Sequence, residues 1–192
     1  MYYAGPGIIF AVLFWIVLAL VVAGGVVFSV LAVKGGRWAA IAAGAFLLVA
    51  VVMVGLPHPA GPPVLGAVIA LGAVAISAFG GSPAVRTVLA LATRQVEGAA
   101  GGILIEPRDA TEPGQTREVL RGGLTIGILE RIGTTVSLLA GVPEAIAVIV
   151  AIKGVGRFSE LGASEAQERF IIGTLVSLGW AALCGALARL VW

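Results

Sequence analysis

The chain has 192 residues, of which 59% are hydrophobic and only 11% charged, with a net charge of +2. Soluble domains carry roughly 25% charged residues, and a mean hydropathy of +1.09 leaves more apolar surface than a water-soluble globule can hide. A polytopic membrane protein has no such constraint. The basic residues are dispersed among apolar runs, so the pI near 9.1 is no nucleic-acid footprint. A lone cysteine, Cys184, excludes an internal disulfide. With a lone histidine, His58, it also falls short of a conventional structural zinc site. Arg in large excess over Lys, the lack of Asn and abundant Ala, Gly and Val suggest a GC-rich bacterial genome.

The expected fold is all-α, with about six transmembrane or membrane-embedded helices. Residues 8–33 exceed the ~20 apolar residues a span needs, so this helix is expected to tilt or bend near Gly24–Gly25. The uncharged start "MYYAGPG" argues against a signal peptide. A second span is expected at 38–56 and a third at 64–80, joined by the proline-rich turn "LPHPAGPPV", which places His58 at a membrane surface. Residues 1–80 thus form an N-terminal three-helix unit.

Residues 81–121 hold five of the twelve basic and five of the ten acidic residues. "SPAVRTVLALATRQVE" reads as a helix on the membrane surface. "GAAGG" is a flexible break, and "ILIEPRDATEPGQTREVLR" a polar loop outside the membrane. No Gly-Lys-Ser/Thr follows the glycines, so they do not form a phosphate loop.

The C-terminal unit, 122–192, carries a fourth helix at 122–140, a fifth at 143–158 and a sixth at 166–190. Gly141 suits a helix end and Pro143 the start of the next helix. The sixth helix has a capping-box pattern, Ser164 with Gln167. With six crossings, ten of the twelve basic residues fall on one side, Arg189 falls on the other and Arg131 lies within a span. The positive-inside rule then predicts a multi-pass bacterial plasma-membrane protein with both termini extracytoplasmic and the 81–121 loop cytoplasmic.

The chemistry gathers in the fourth and fifth helices. "IGILERIGTT" places Glu130 beside Arg131 within an apolar run. Neighbours on a helix point about 100° apart, so each needs another partner. Glu130 and Lys153 lie at nearly equal sequence distances from the 141–143 turn. An antiparallel hairpin therefore brings them to one depth as an ion pair. Thr134 and Thr135 are expected to add hydrogen bonds, and Lys153 and Arg157 share a helix face. Two readings stand. The polar cluster Glu130, Arg131, Thr134, Lys153 and Arg157 lines a cavity or ion path. Alternatively, the hairpin is shallow, its basic side chains snorkel to the surface, and Glu130 is a structural partner.

In the sixth helix Gly173, Ser177, Ala181 and Gly185 recur every fourth residue, a small-residue stripe that lets another helix approach. Gly25–Ser29 and Gly66–Ala70 are shorter versions. Trp180 and Cys184 read as packing residues.

"RGGLTIGILERIG", "AIAVIVAIKGVGRFSEL" and "ERFIIGTLVSLGWA" together resemble a pattern in actinobacterial-type multi-spanning membrane proteins. The ending is similar to that of the DUF3307 type. The matching positions are Glu130, Arg131, Lys153, Arg157, Phe158, Glu168, Arg169, Phe170, Gly173, Thr174 and Ser177. The resemblance implies membrane class and implies no activity. No catalytic set such as Ser-His-Asp or HExxH occurs, so no catalytic residue, metal or cofactor is expected. The expected partners are the lipid bilayer and a protein partner or further copies of the chain, with no nucleic acid. The leading expectation is a membrane-embedded subunit or scaffold, followed by a small oligomeric transporter or channel, then a membrane enzyme.

Overall fold

The structure, a computed structural model, describes residues 5–99, 123–157 and 164–192. These residues form six helices and no strand: α1 (Gly5–Val33), α2 (Arg37–Gly55), α3 (Pro63–Ala99), α4 (Gly123–Leu139), α5 (Ala145–Arg157) and α6 (Ser164–Leu190). Four of them, α1, α2, α3 and α6, are long and apolar enough to cross a membrane. Large apolar side chains stand outward along them, Leu20, Leu71 and Leu175 among them. That is the surface a lipid solvent permits and water does not.

The turns follow from local chemistry. Gly35 closes α1 with a left-handed φ of 107°, open to glycine without steric cost. Pro63 opens α3 at a position where its missing N–H would have no helical partner. Gly141, φ 74°, ends α4, and the Val142 N–H donates back to the Ser137 carbonyl at 2.9 Å in a Schellman closure. α5 begins two residues beyond the expected Pro143, because that proline shapes the turn itself.

α3 is the axis, packing against α1, α2, α4 and α6, while the helix that α5 packs against among the described residues is α4. The core joins Trp15, Leu18 and Val22 of α1 to Leu47 of α2, Ile69 and Ile76 of α3, and Leu187 of α6. Gly24 and Gly25 do not interrupt α1. A Cβ on Gly24 would lie 2.8 Å from Phe46, and one on Gly25 2.8 Å from Ile76. Their smallness lets α2 and α3 approach.

One expected boundary is absent. The third span does not stop at residue 80, and no separate surface helix follows. α3 runs unbroken through Gly80, Gly81 and Pro83 to Ala99, and its apolar part extends over Pro63–Ala92. Proline is tolerated inside a membrane helix and removes one backbone bond, here the one that the Phe79 carbonyl would accept. α3 therefore belongs to both halves of the chain. The expected loop at 103–121 lies outside the described residues, as does the side chain of Ser164 with its capping box.

The bundle has two distinct ends. Trp15 donates to the Pro59 carbonyl at 3.2 Å, and the His58 ring stacks on Phe14 at 5.5 Å, tying the α2–α3 turn to α1. α6 runs antiparallel to α3: Gly66 lies beside Val191, Ile76 beside Trp180, and Val85 beside Gly173. The α4–α5 turn also reaches this His58 end, with Gly141 beside the Arg189 guanidinium. The hairpin is therefore not shallow: its tip is level with the last turn of α6.

Candidate functional site

Glu130 and Arg131 part company. Arg131 is 3% exposed and turns toward α3 and α6. Its Nε donates to the Ser77 carbonyl at 2.9 Å. Its Nη2 donates to the Ala78 carbonyl at 2.9 Å and to Ser82 Oγ at 3.0 Å. Its Nη1 reaches Ser177 Oγ on α6 at 3.4 Å. The two α3 carbonyls precede Pro83 by six and five residues, so neither is the carbonyl that its missing N–H frees, which is that of Phe79. The rigid planar fork of Arg suits this three-way contact, which an ammonium group could not reproduce.

Glycine makes the approach possible. A Cβ on Gly81 would stand 2.2 Å from Arg131 Cδ and 2.6 Å from Nε. On Gly80 it would stand 2.4 Å from Trp180, whose Nε1 donates to the Ile76 carbonyl at 3.0 Å. Hydroxyls extend the network. Ser77 Oγ donates to the Arg131 carbonyl at 3.2 Å. Thr135 Oγ1 lies 2.7 Å from Ser77 Oγ and 3.1 Å from the Ala181 carbonyl. Ser77 lies about 20 Å along α3 from Pro63 at ~1.5 Å per residue, midway in the apolar stretch Pro63–Ala92. A ~30 Å hydrocarbon layer centred on that stretch would enclose Arg131.

Glu130 turns the other way and accepts a hydrogen bond from the Lys153 ammonium on α5. The equal spacing from the turn thus produces the expected pair. The two side chains are 10% and 20% exposed respectively, and Lys153 also lies 5.9 Å from the centre of the Phe170 ring.

Other expected site residues have different fates. Thr134 is buried, but its hydroxyl has no hydrogen-bond partner among the described residues, so the bonding falls to Thr135 alone. The Arg157 side chain lies outside the described residues. In the α6 stripe, Ser177, Ala181 and Gly185 face α3 and α4 within one chain. A Cβ on Gly185 would lie 2.7 Å from Leu138, whereas one on Gly173 would meet Val85 at an ordinary 3.5 Å. Gly173 instead lines a cavity of about 360 Å³ between α3, α4 and α6. Cys184 is buried in the core, and Trp180 packs against it.

Sequence reasoning missed the α3 half of this site. Ser77, Gly81 and Ser82 receive Arg131, and Arg86 anchors on the Ala32 carbonyl at 3.3 Å. The signal was the cluster "GGSP", small and polar residues inside an apolar run, which reads equally well as the end of a span.

No protein-family model, curated protein or solved structure matches this chain.

Proposed function

We propose that this chain is a membrane-embedded subunit or scaffold of a larger assembly. The observation that carries the reading is that both intramembrane charges at the opening of "ERIGTT" serve as fastenings. Arg131 ties α4 to the α3 backbone and to α6, and Glu130 ties α4 to α5. Neither is held ready for a moving proton or ion. α5, the peripheral helix, rests on α4 among the described residues and carries an exposed apolar side at Ile152 and Val155. The partners in this reading are the bilayer and a protein subunit, or further copies of the chain.

The setting we infer is a bacterial plasma membrane. Lys34, Arg37, Arg86, Lys153 and Arg169 lie in the half of the bundle that ends at the α1–α2 turn, and Arg189 at the opposite end. By the positive-inside rule the Lys34 end faces the cytoplasm and the α2–α3 turn faces outward.

A small oligomeric transporter or channel is the second reading, favoured by the cavity that reaches Arg131. Purified protein in liposomes separates the two. The subunit reading expects proton and ion flux no greater than in empty vesicles. It also expects cross-linking in source membranes to trap the chain in a species larger than itself. Flux that Glu130→Gln abolishes would overturn it in favour of transport.

A further inference from the structure

We propose that the cavity between α3, α4 and α6 is a binding site for a phosphate-bearing anion, most directly the headgroup of an anionic lipid. Four cationic side chains line it: Arg86 from α3, Arg131 from α4, Lys153 from α5 and Arg169 from α6. No acidic side chain lines it among the described residues. Lys153 has Glu130 as its counter-ion. The hydrogen-bond partners of Arg131, by contrast, are carbonyls and hydroxyls, and the carboxylate of the neighbouring Glu130 is bonded to Lys153 instead. A charge held this way in a low-dielectric setting favours an anion nearby.

Two further features suit a phosphate. The guanidinium carries five N–H groups, of which four are engaged as described, leaving an Nη1 N–H for a ligand in the cavity that Arg131 lines. Thr174 lines the same cavity, and its hydroxyl, buried behind the cavity surface, has no hydrogen-bond partner among the described residues. Phosphate oxygens accept from both kinds of donor, and Arg is the side chain best matched to them.

The position suits a lipid. Arg86 bonds to the end of α1 next to the Lys34 turn, so the cavity lies toward the cationic end of the bundle. Leu124 and Phe170 supply apolar lining beside the cations. Basic pockets between helices at that level are where anionic headgroups are held, and the apolar wall accommodates the attached chains.

Native mass spectrometry of the full chain, delipidated in detergent, tests this with three probes. Phosphatidylglycerol should remain bound one-to-one at least ten times more tightly than phosphatidylcholine. The double variant Arg86→Gln/Arg169→Gln should lower that preference at least fivefold, and Thr174→Val should weaken phosphatidylglycerol binding with circular dichroism unchanged. Inorganic phosphate that competes in the millimolar range would place the recognition in the phosphate group itself. Phosphate without effect would assign the site to the intact lipid. Equal retention of the two lipids would overturn the proposal. So would a folded Arg86→Gln/Arg169→Gln protein that keeps the wild-type preference.

Discussion

Gly81→Ala, made with and without Arg131, measures the fastening at the centre of the bundle. In the wild-type protein the added methyl falls 2.2 Å from Arg131 Cδ and 2.6 Å from Nε, and its three nearest atoms all belong to that side chain. The guanidinium must move, and it cannot do so without disturbing its three bonds to α3. Overpacking costs roughly 1–3 kcal/mol, and an intramembrane hydrogen bond is worth ~0.6 kcal/mol on average, rising to ~1.7. Less the helix preference of alanine over glycine, about 1 kcal/mol in either background, the expected net cost of Gly81→Ala is about 2–4 kcal/mol. In an Arg131→Ala background the obstruction is gone. Alanine then gains its helix preference over glycine, about 1 kcal/mol, so the same change becomes stabilising. The sign reversal is the signature. Reversible unfolding in mixed micelles, followed by helicity, gives all four corners of the cycle. An equal cost of Gly81→Ala in both backgrounds would refute the account of why this glycine is there.

Glu130→Gln or Lys153→Met alone should each cost about 1–3 kcal/mol, below the ~3–5 of a fully buried pair because both side chains retain some exposure. The double change should cost less than the sum of the singles in the same unfolding assay. Gly185→Ala should destabilise by ~1–3 kcal/mol against Leu138. Gly173→Ala, with only an ordinary contact to Val85, should be neutral or gain up to ~1 kcal/mol, and melting temperatures in detergent will rank the two. Gly61→Ala would put a methyl 2.2 Å from the Trp15 ring. It should cost ~1–3 kcal/mol and shift tryptophan fluorescence as the Pro59 bond breaks.

Apolar run length made the spanning helices legible, and Gly141 with the basic and acidic positions around it was enough to pair Glu130 with Lys153. The partner of Arg131 was not legible. Two of its four acceptors are backbone carbonyls, which any helix offers, and two are serine hydroxyls. Only the fold says which ones come within reach. "GGSP" misled for a related reason. Gly, Ser and Pro end helices in water, where the freed backbone is solvated, but inside a bundle the same residues make room for a neighbour's side chain. Pro83 thus sits within α3, and the arginine contacts the turn before it. Of the α6 stripe, Ser177, Ala181 and Gly185 face neighbouring helices while Gly173 lines a cavity, and spacing reveals neither that difference nor whether the neighbour is α4 of the same chain or a helix of another.

The central claim is that the α4–α5 hairpin reaches through the bundle, so that Glu130 and Arg131 are held inside it rather than snorkelled to a surface. Single cysteines at positions 34, 58 and 142, in a Cys184→Ala background, test it with a membrane-impermeant thiol reagent on sealed vesicles. Positions 58 and 142 should label from one side of the membrane and position 34 from the other. Labelling of 142 from the same side as 34 would make the hairpin shallow and contradict the account.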